Sequence, residues 1–330
     1  MRQKSFNRGI LILALVTVIA TCLTPMVATA EPALHRIRVA TITTTDLASV
    51  ERDYGRWLKY MVRERGKISK SLAQSWGAPA IAGQRYILLS PSGSPDVFIR
   101  AIEQRDLPAH KPLTTWGWNA IEIIVDDPNA VYSSLRDSPF KVIGEPAQLS
   151  GYPSIRAFQV LGPSNEVIYL TAETGDRSKS ILPPPQSDID RIFIMVVAGP
   201  DIDALLAFYS SKFALQSGSP RQRPVGVLRR AQGLGDDSTF PLTTGRLVQR
   251  GNLIEFDGYP AATTARPQRA GELPPAIASS SFAVRNFEGL VLDWITPPTV
   301  HPGLAYAGKR AATVRGPAGE LIELIEESTE

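Results

Sequence analysis

Four residues that could do chemistry, Arg100, Tyr169, Glu255 and Glu323, each end the same short phrase of sequence in a chain of 330 residues. The phrases are Ser-Pro-Asp-Val-Phe-Ile-Arg (94–100), Pro-Ser-Asn-Glu-Val-Ile-Tyr (163–169), Arg-Gly-Asn-Leu-Ile-Glu (250–255) and Ala-Gly-Glu-Leu-Ile-Glu (318–323). In three of them a Gly- or Asn-marked turn leads into an apolar strand, so the terminal residues fall at equivalent places of a repeat. Two carboxylates facing one concave site would push one another's pKa upward and give a proton-transfer group. The alternative is that Glu255 and Glu323 are strand remnants satisfied by arginines such as Arg246, Arg285 or Arg310. An Arg fork and a phenol would instead bind a carboxylate or enolate oxygen and stack on an aromatic ring. The first half of the chain is rich in rings for that purpose: Trp57, Trp76, Tyr86, Trp116, Trp118 and Phe158. The competing fate of such residues is to fill the core.

Other chemistries find no residues. The chain has three His (His35, His110 and His301) and one Cys, Cys22. Gly233-Leu-Gly235 lacks the strand–Lys–helix context of a phosphate loop. No Gly-x-Ser-x-Gly elbow occurs, and Ser92-Gly-Ser94 has no matched His. Neither basic excess nor a recognisable module points to nucleic acid.

The elements that would position these residues also repeat. Opening strands at Ile37–Asp46, Ala120–Asp127, Ile192–Asp201 and Phe282–Asn286 each run into a stretch expected to be helical, with the Asp or Asn as N-cap. After Asp46, for example, Leu47, Val50, Tyr54, Trp57, Leu58 and Met61 recur at helical spacing. Each unit reads as strand, helix and three strands. Gly258–Pro275, rich in Ala, Pro and Arg, reads as a loop crossing between the last two units.

Residues 1–30 are set apart. Arg2, Lys4 and Arg8 precede an apolar run from Gly9 to Ala20, and Ala28-Thr29-Ala30 is a small-residue cleavage site. This predicts a secretory signal peptide, a mature start at Glu31 and a periplasmic or secreted protein. A lipid anchor on Cys22 is the competing reading, disfavoured by Thr21. The segment holds three of the 35 Lys and Arg and none of the 32 Asp and Glu, so the remainder carries 32 of each and the net charge of +3 vanishes. No polyanionic partner follows from charge. Without Cys22 the mature chain needs no disulfide.

Four such units resemble the vicinal oxygen chelate superfamily, which includes glyoxalase I, bleomycin-resistance proteins and extradiol dioxygenases. The most specific matches are Asp201-Ile-Asp-Ala-Leu-Leu-Ala-Phe-Tyr209, Gly251-Asn-Leu-Ile-Glu-Phe256 and Gly316-Pro-Ala-Gly-Glu-Leu-Ile-Glu323. The resemblance implies an α+β protein of two tandem glyoxalase-like domains, each built from paired βαβββ modules forming a cup-shaped mixed sheet. Taken in sequence order, residues 31–174 form the first domain, 175–188 a Pro183-Pro184-Pro185 linker, and 189–330 the second domain. Arg100 and Tyr169 would then share one cup, and Glu255 and Glu323 the other.

Metal-binding members place a His seven residues before the helix-starting Asp. Here those positions are Val39, Ala120, Ile194 and Ser279, with Asn119 if Asp126 is the anchor. A family-type metal site is therefore not expected, although two carboxylates could hold Mg²⁺ or Ca²⁺ loosely. No cofactor is therefore expected, and the apolar run of about twelve residues in the leader is too short for a membrane span, while a homodimer is left open. The expected function is metal-independent lyase, isomerase or cyclase chemistry on a small oxygenated aromatic or cyclic compound. The rival is a non-catalytic protein that sequesters a ligand. The expected site residues are Tyr169, Arg100, Glu323 and Glu255 for catalysis, and Trp116, Trp118, Phe158, Tyr86 and His110 for ligand contact. The cup of modules one and two, with its cation, phenol and tryptophans, is the expected pocket.

Overall fold

A computed structural model describes residues 31–327; residues 1–30, on which the expected signal peptide, its cleavage site and Cys22 fall, lie outside the described residues. Module one comprises β1 (Leu34–Thr44), α1 (Leu47–Trp57), β2 (Met61–Lys67), α2 (Lys70–Ser75), β3 (Arg85–Ser90) and β4 (Phe98–Glu103). Module two comprises β5 (Gly117–Val125), α3 (Pro128–Leu135), β6 (Lys141–Leu149), β7 (Tyr152–Leu161) and β8 (Val167–Glu173). Module three comprises β9 (Ile189–Gly199), α4 (Ile202–Phe213), β10 (Gln216–Ser217), β11 (Arg221–Arg223), α5 (Gly226–Gln232), β12 (Phe240–Arg246) and β13 (Leu253–Gly258). Module four comprises β14 (Ile277–Val284), β15 (Thr299–Val300), β16 (Arg310–Arg315) and β17 (Leu321–Glu326).

Local chemistry accounts for most of these boundaries. Asp46, Asp127 and Asp201 cap α1, α3 and α4, their carboxylates accepting from Ala48 and Ser49, from Asn129, and from Ala204, which satisfies amide donors that a helix start leaves unpaired. Asn286 does not do the same. Its side chain accepts from the amides of Glu288 and Gly289, but Gly289 and Pro297-Pro298 oppose helix, and no helix follows. Phe287 and Trp294 stack at 5.5 Å and pack, with Leu290 and Leu292, where the other modules place a helix. The Gly and Asn marks of the repeat also find their cause. Asn165, Gly251 and Gly319 turn into the closing strands with φ of 62°, 84° and 80°, a left-handed conformation that L side chains other than Asn disfavour.

Two mixed sheets result, and their membership corrects the domain boundaries expected from sequence order. One sheet runs β15-β16-β17-β14-β1-β4-β3-β2 and the other β10-β12-β13-β9-β5-β8-β7-β6, with β11 on β12. Module one therefore pairs with module four, and module two with module three. The opening strands meet antiparallel at each centre, β1 on β14 and β5 on β9, while each closing strand lies parallel to its own opening strand. The 259–276 segment crosses between sheets as expected. The 175–188 segment instead returns β8 to β9 within one sheet. It is pinned there: Pro183 lies against Gly251, Arg250 donates to the Ser180 carbonyl at 2.8 Å, and the amide of Asp126 bonds to the Asp188 carbonyl. Residues 31–327 are one compact unit.

Sequence neighbours interlock in a second way. Tyr54 of α1 donates to Glu166 in the turn before β8 at 2.7 Å, and Tyr209 of α4 donates to Glu320 in the equivalent turn before β17 at 3.2 Å. The family-like phrases ending at Tyr209 and Glu323 are thus two sides of one contact. A large apolar core joins both sheets with α1, α3 and α4, while a smaller cluster lines the inner face of each sheet. Because the first sheet draws strands from both sides of the 175–188 segment, a cut there should not separate the halves. A protease site engineered at the exposed Gly175–Lys179 turn is expected to give two pieces that co-migrate in size exclusion without denaturant. Two independently folded fragments would contradict the pairing.

Candidate functional site

The four repeat residues are redistributed by this pairing. Arg100 and Glu323 face each other across the first sheet, and Tyr169 and Glu255 across the second. The shared cup of Arg100 with Tyr169 does not exist, and neither does that of Glu255 with Glu323.

The first cup is filled. Arg100 Nη2 lies 2.9 Å from Glu323 Oε2, Nη1 donates to Tyr306 Oη at 2.5 Å, and Nε donates to Thr41 at 3.2 Å. Glu323 accepts further bonds from Trp76 Nε1 at 2.8 Å, Tyr306 Oη at 2.8 Å and Ser281 Oγ at 2.5 Å. The guanidinium lies over Trp76 at 4.6 Å and near Tyr306 at 5.5 Å. Arg100 is 2% exposed and Glu323 0%. Burial by itself would raise the Glu323 carboxyl, but Arg100 and the three donors outweigh it and hold it below the usual range. The fillers come from the β2–β3 connection, with Leu72, Trp76 and Ile81, and from the 301–307 loop, with Ala305 and Tyr306. Arg100 and Glu323 are thus a buried structural pair, and the partner of Glu323 is Arg100 rather than Arg246, Arg285 or Arg310.

The second cup is open. A cavity of about 900 Å³ has Glu122, Tyr169, Glu255 and Asp257 among its lining residues. The strand register explains the cluster. Glu122 of β5 pairs directly with Tyr169 of β8, while Glu255 and Asp257 are two residues apart on β13 and share a face. Glu122 and Asp257 are 4% and 3% exposed; Tyr169 and Glu255 are partly exposed to the cavity. Thr171 donates to Glu122 Oε2 at 3.1 Å. Burial pushes the Glu255 carboxyl up to about 7, against a hydrogen bond with Asp257. Burial and then the Glu255 charge push Glu122 well above its ordinary value, and Asp257 rises for the same reasons with Glu122 adding. Burial therefore raises all three carboxyls, and Glu255, at about 7, is poised to exchange a proton near neutrality. Burial, then the neighbouring Asp257, Tyr259 and carboxylate charges, keeps Tyr169 a phenol.

Glu122 and Asp257 were not expected from the sequence. The available signals were an acid inside the apolar run Ala120–Val125 and a second acid in phase with Glu255 on one strand.

The expected ligand contacts are elsewhere. Trp118 is 1% exposed, donates to the Leu321 carbonyl and packs on Phe282 between the sheets. Phe158 is fully buried edge-on to Tyr132 beneath α3. Trp116 donates to Thr263 at 2.9 Å and packs on the shared core. Tyr86 is tied to Glu64 at the edge of the first sheet. His110 borders a separate hollow of about 260 Å³ with Thr43 and Gln104, and burial, then Arg266, lowers its pKa to about 3. Trp57 is stacked by Arg56 on α1. For Trp118 and Phe158 the reason is strand parity, which turns them to the shared core; Trp116 and His110 lie in the β4–β5 connection, and Tyr86 belongs to the first sheet.

The residues present do not fit a transition-metal centre. The positions that the family resemblance assigns to imidazole are Val39 and Ser279 in the first cup and Ala120 and Ile194 in the second. Glu323 already accepts four bonds. Among the described residues no group of three or more His, Cys, Asp or Glu has ion-holding geometry.

The buried acids set a pH dependence of stability. Glu166 and Glu320, like Glu255, are pushed up to about 7 by burial, against the tyrosine and backbone bonds they accept. A carboxyl whose folded pKa is raised binds its proton more tightly folded than unfolded, so stability falls as pH rises from the unfolded value of about 4.3 through 7. Glu323 works oppositely, losing its contribution below about pH 4.3. The urea midpoint is therefore expected to be higher at pH 5 than at pH 8; a midpoint that rises over this window would contradict the assignment.

No family model matches the chain, and no curated protein sequence matches it. Solved structures do. Glyoxalase I from Zea mays superposes with a TM-score of 0.59 at 12% identity, over 88% of this chain and 92% of that one; a mutant of the same enzyme gives 0.59 at 11%, over 88% and 93%. A putative dioxygenase from Bacillus subtilis gives 0.58 at 11%, over 91% and 87%. The chain has the vicinal oxygen chelate fold, with two glyoxalase-like cups in a mixed α+β architecture.

Proposed function

We propose that this is an exported enzyme that moves a proton on a small oxygenated aromatic or cyclic compound bound in the cup of modules two and three. The observation that carries this reading is the set of three coupled carboxyls and a phenol on the floor of an open cavity. Glu255 ionises near neutrality, where a general base is most effective. Its carboxylate takes a proton from a carbon next to a carbonyl. The Tyr169 phenol donates a hydrogen bond to the oxygen on which the negative charge collects, with the protonated Glu122 and Asp257 reinforcing the acidic side. Return of the same proton to another carbon of the extended enolate completes an isomerisation, whereas collapse of the enolate to the carbonyl with expulsion of a β-leaving group, which takes the proton from Glu255, completes a lyase step. No helix among the described residues is long and apolar enough to cross a membrane.

The test is deuterium exchange in D₂O. Enolisable cyclic and aryl ketones are incubated with the protein, and loss of the α-proton signal is followed by NMR. Catalysed exchange is expected from the wild type. Binding of the same compounds without any exchange would replace the enzyme with a ligand-sequestering protein.

A further inference from the structure

We infer that the ligand of this cup is an organic anion, gripped at the mouth by Arg221, Arg223 and Arg246; this rests on the cup of modules two and three being the binding site. Residues 31–330 carry 32 basic and 32 acidic side chains, yet the arginines are not evenly placed. Arg221, Arg223, Arg230 and Arg246 all border the cavity, and the floor acids apart, Glu145 is the one carboxylate bordering it among the described residues. No described carboxylate forms an ion pair with any of the four, although fifteen other ion pairs occupy the described surface and core. Arg230 is committed to the Ile143 carbonyl. Among the described residues, the other three guanidinium groups donate to no protein acceptor.

Their placement is specific. Arg221 and Arg223 alternate on β11 and pair opposite Leu242 and Phe240 of β12. Arg246 ends β12, opposite Gln216. Arg223 also reaches across to module two, where its guanidinium lies 5.6 Å from the ring of Tyr152. Tyr152 and Ile181, which border the same cavity, are 47% and 40% exposed. The mouth thus combines unpaired guanidinium groups with uncovered apolar surface, the pairing that suits a carboxylate, sulfonate or phosphate carried on an aromatic or alicyclic body. Burial raises all three floor carboxyls, which leaves less negative charge there to offset the three guanidinium groups. The acids are placed to act on the far end of a molecule whose charged end stays at the rim.

Two naphthalene probes of nearly the same shape separate charge from burial: anionic 1-anilinonaphthalene-8-sulfonate and neutral N-phenyl-1-naphthylamine. Their fluorescence titrations are compared in the wild type, in the triple variant Arg221→Gln/Arg223→Gln/Arg246→Gln, and in the corresponding triple Lys variant. The Gln variant is expected to bind the sulfonate at least about tenfold more weakly, as loss of charge-assisted bonds requires, and the naphthylamine unchanged. The Lys variant should retain most of the sulfonate affinity. Circular dichroism establishes that each variant is folded; if the triple variants are not, Arg223→Gln alone must show the selective loss. Equal sulfonate binding by wild type and Gln variant would overturn the anion inference while leaving the cup as the binding site. Binding of neither probe by the wild type would overturn the cup itself as a ligand site, and the inference with it.

Discussion

Arg100→Ala is expected to destabilise the fold by about 3–5 kcal/mol, the cost of leaving a buried partner charge uncompensated. Glu323 would keep its donors from Trp76, Ser281 and Tyr306 but lose the cation that holds it ionised in a site of 0% exposure. The guanidinium also fills space between Trp76 and Tyr306, so truncation adds a void. Denaturant unfolding at pH 7 measures the loss. The double variant Arg100→Leu/Glu323→Leu separates charge from packing. Because a buried ion pair repays its desolvation poorly, replacing both partners by apolar residues is expected to recover much of the stability. Arg100→Ala unfolding at the wild-type midpoint would mean that the first cup is hydrated and open, and would reopen it as a site.

Glu255→Gln is expected to lower catalysed α-proton exchange by about 10²–10⁴-fold, the usual worth of a positioned general base. Gln keeps the shape and one hydrogen-bonding oxygen, so the cup should stay folded and continue to bind its ligand. Only the proton acceptor is lost. Asp257 is a poor substitute, because it is nearly fully buried and desolvation disfavours its charged form. Glu323→Gln supplies the contrast. It should cost stability through the pair with Arg100, yet leave turnover per folded molecule unchanged. If Glu323→Gln abolished exchange while Glu255→Gln did not, the roles of the two cups would be reversed.

Much of this architecture was legible in the sequence because it is written locally. The Asp caps, the left-handed turn residues and the apolar closing strands are each set by a few neighbouring residues, and their recurrence along the chain marks the modules and the fold. The partner of each module was not legible. Strand pairing depends on contacts far apart in the chain, such as Arg100 with Glu323, and an apolar opening strand like Ile192–Val197 would pair acceptably with any of the others. The Pro-rich 175–188 segment has the composition of a linker whether it joins two domains or, as it does, two strands of one sheet. That one ambiguity moved Tyr169 away from Arg100. The tryptophans misled for a related reason: their number was visible, but the face on which each leaves its strand depends on register. Trp118 and Phe158 point to the shared core, while Trp76 closes the first cup. Glu122 went unnoticed because a lone acid in an apolar strand gains meaning only once Tyr169 and Glu255 are seen beside it.

A crystal structure of the protein with a compound that shows catalysed exchange would test the central claim most directly. The account predicts the compound in the cup of modules two and three, its reacting carbon against Glu255 and an oxygen against Tyr169. A compound lodged beside Arg100 and Glu323, or in the hollow at His110, with the second cup empty, would contradict it.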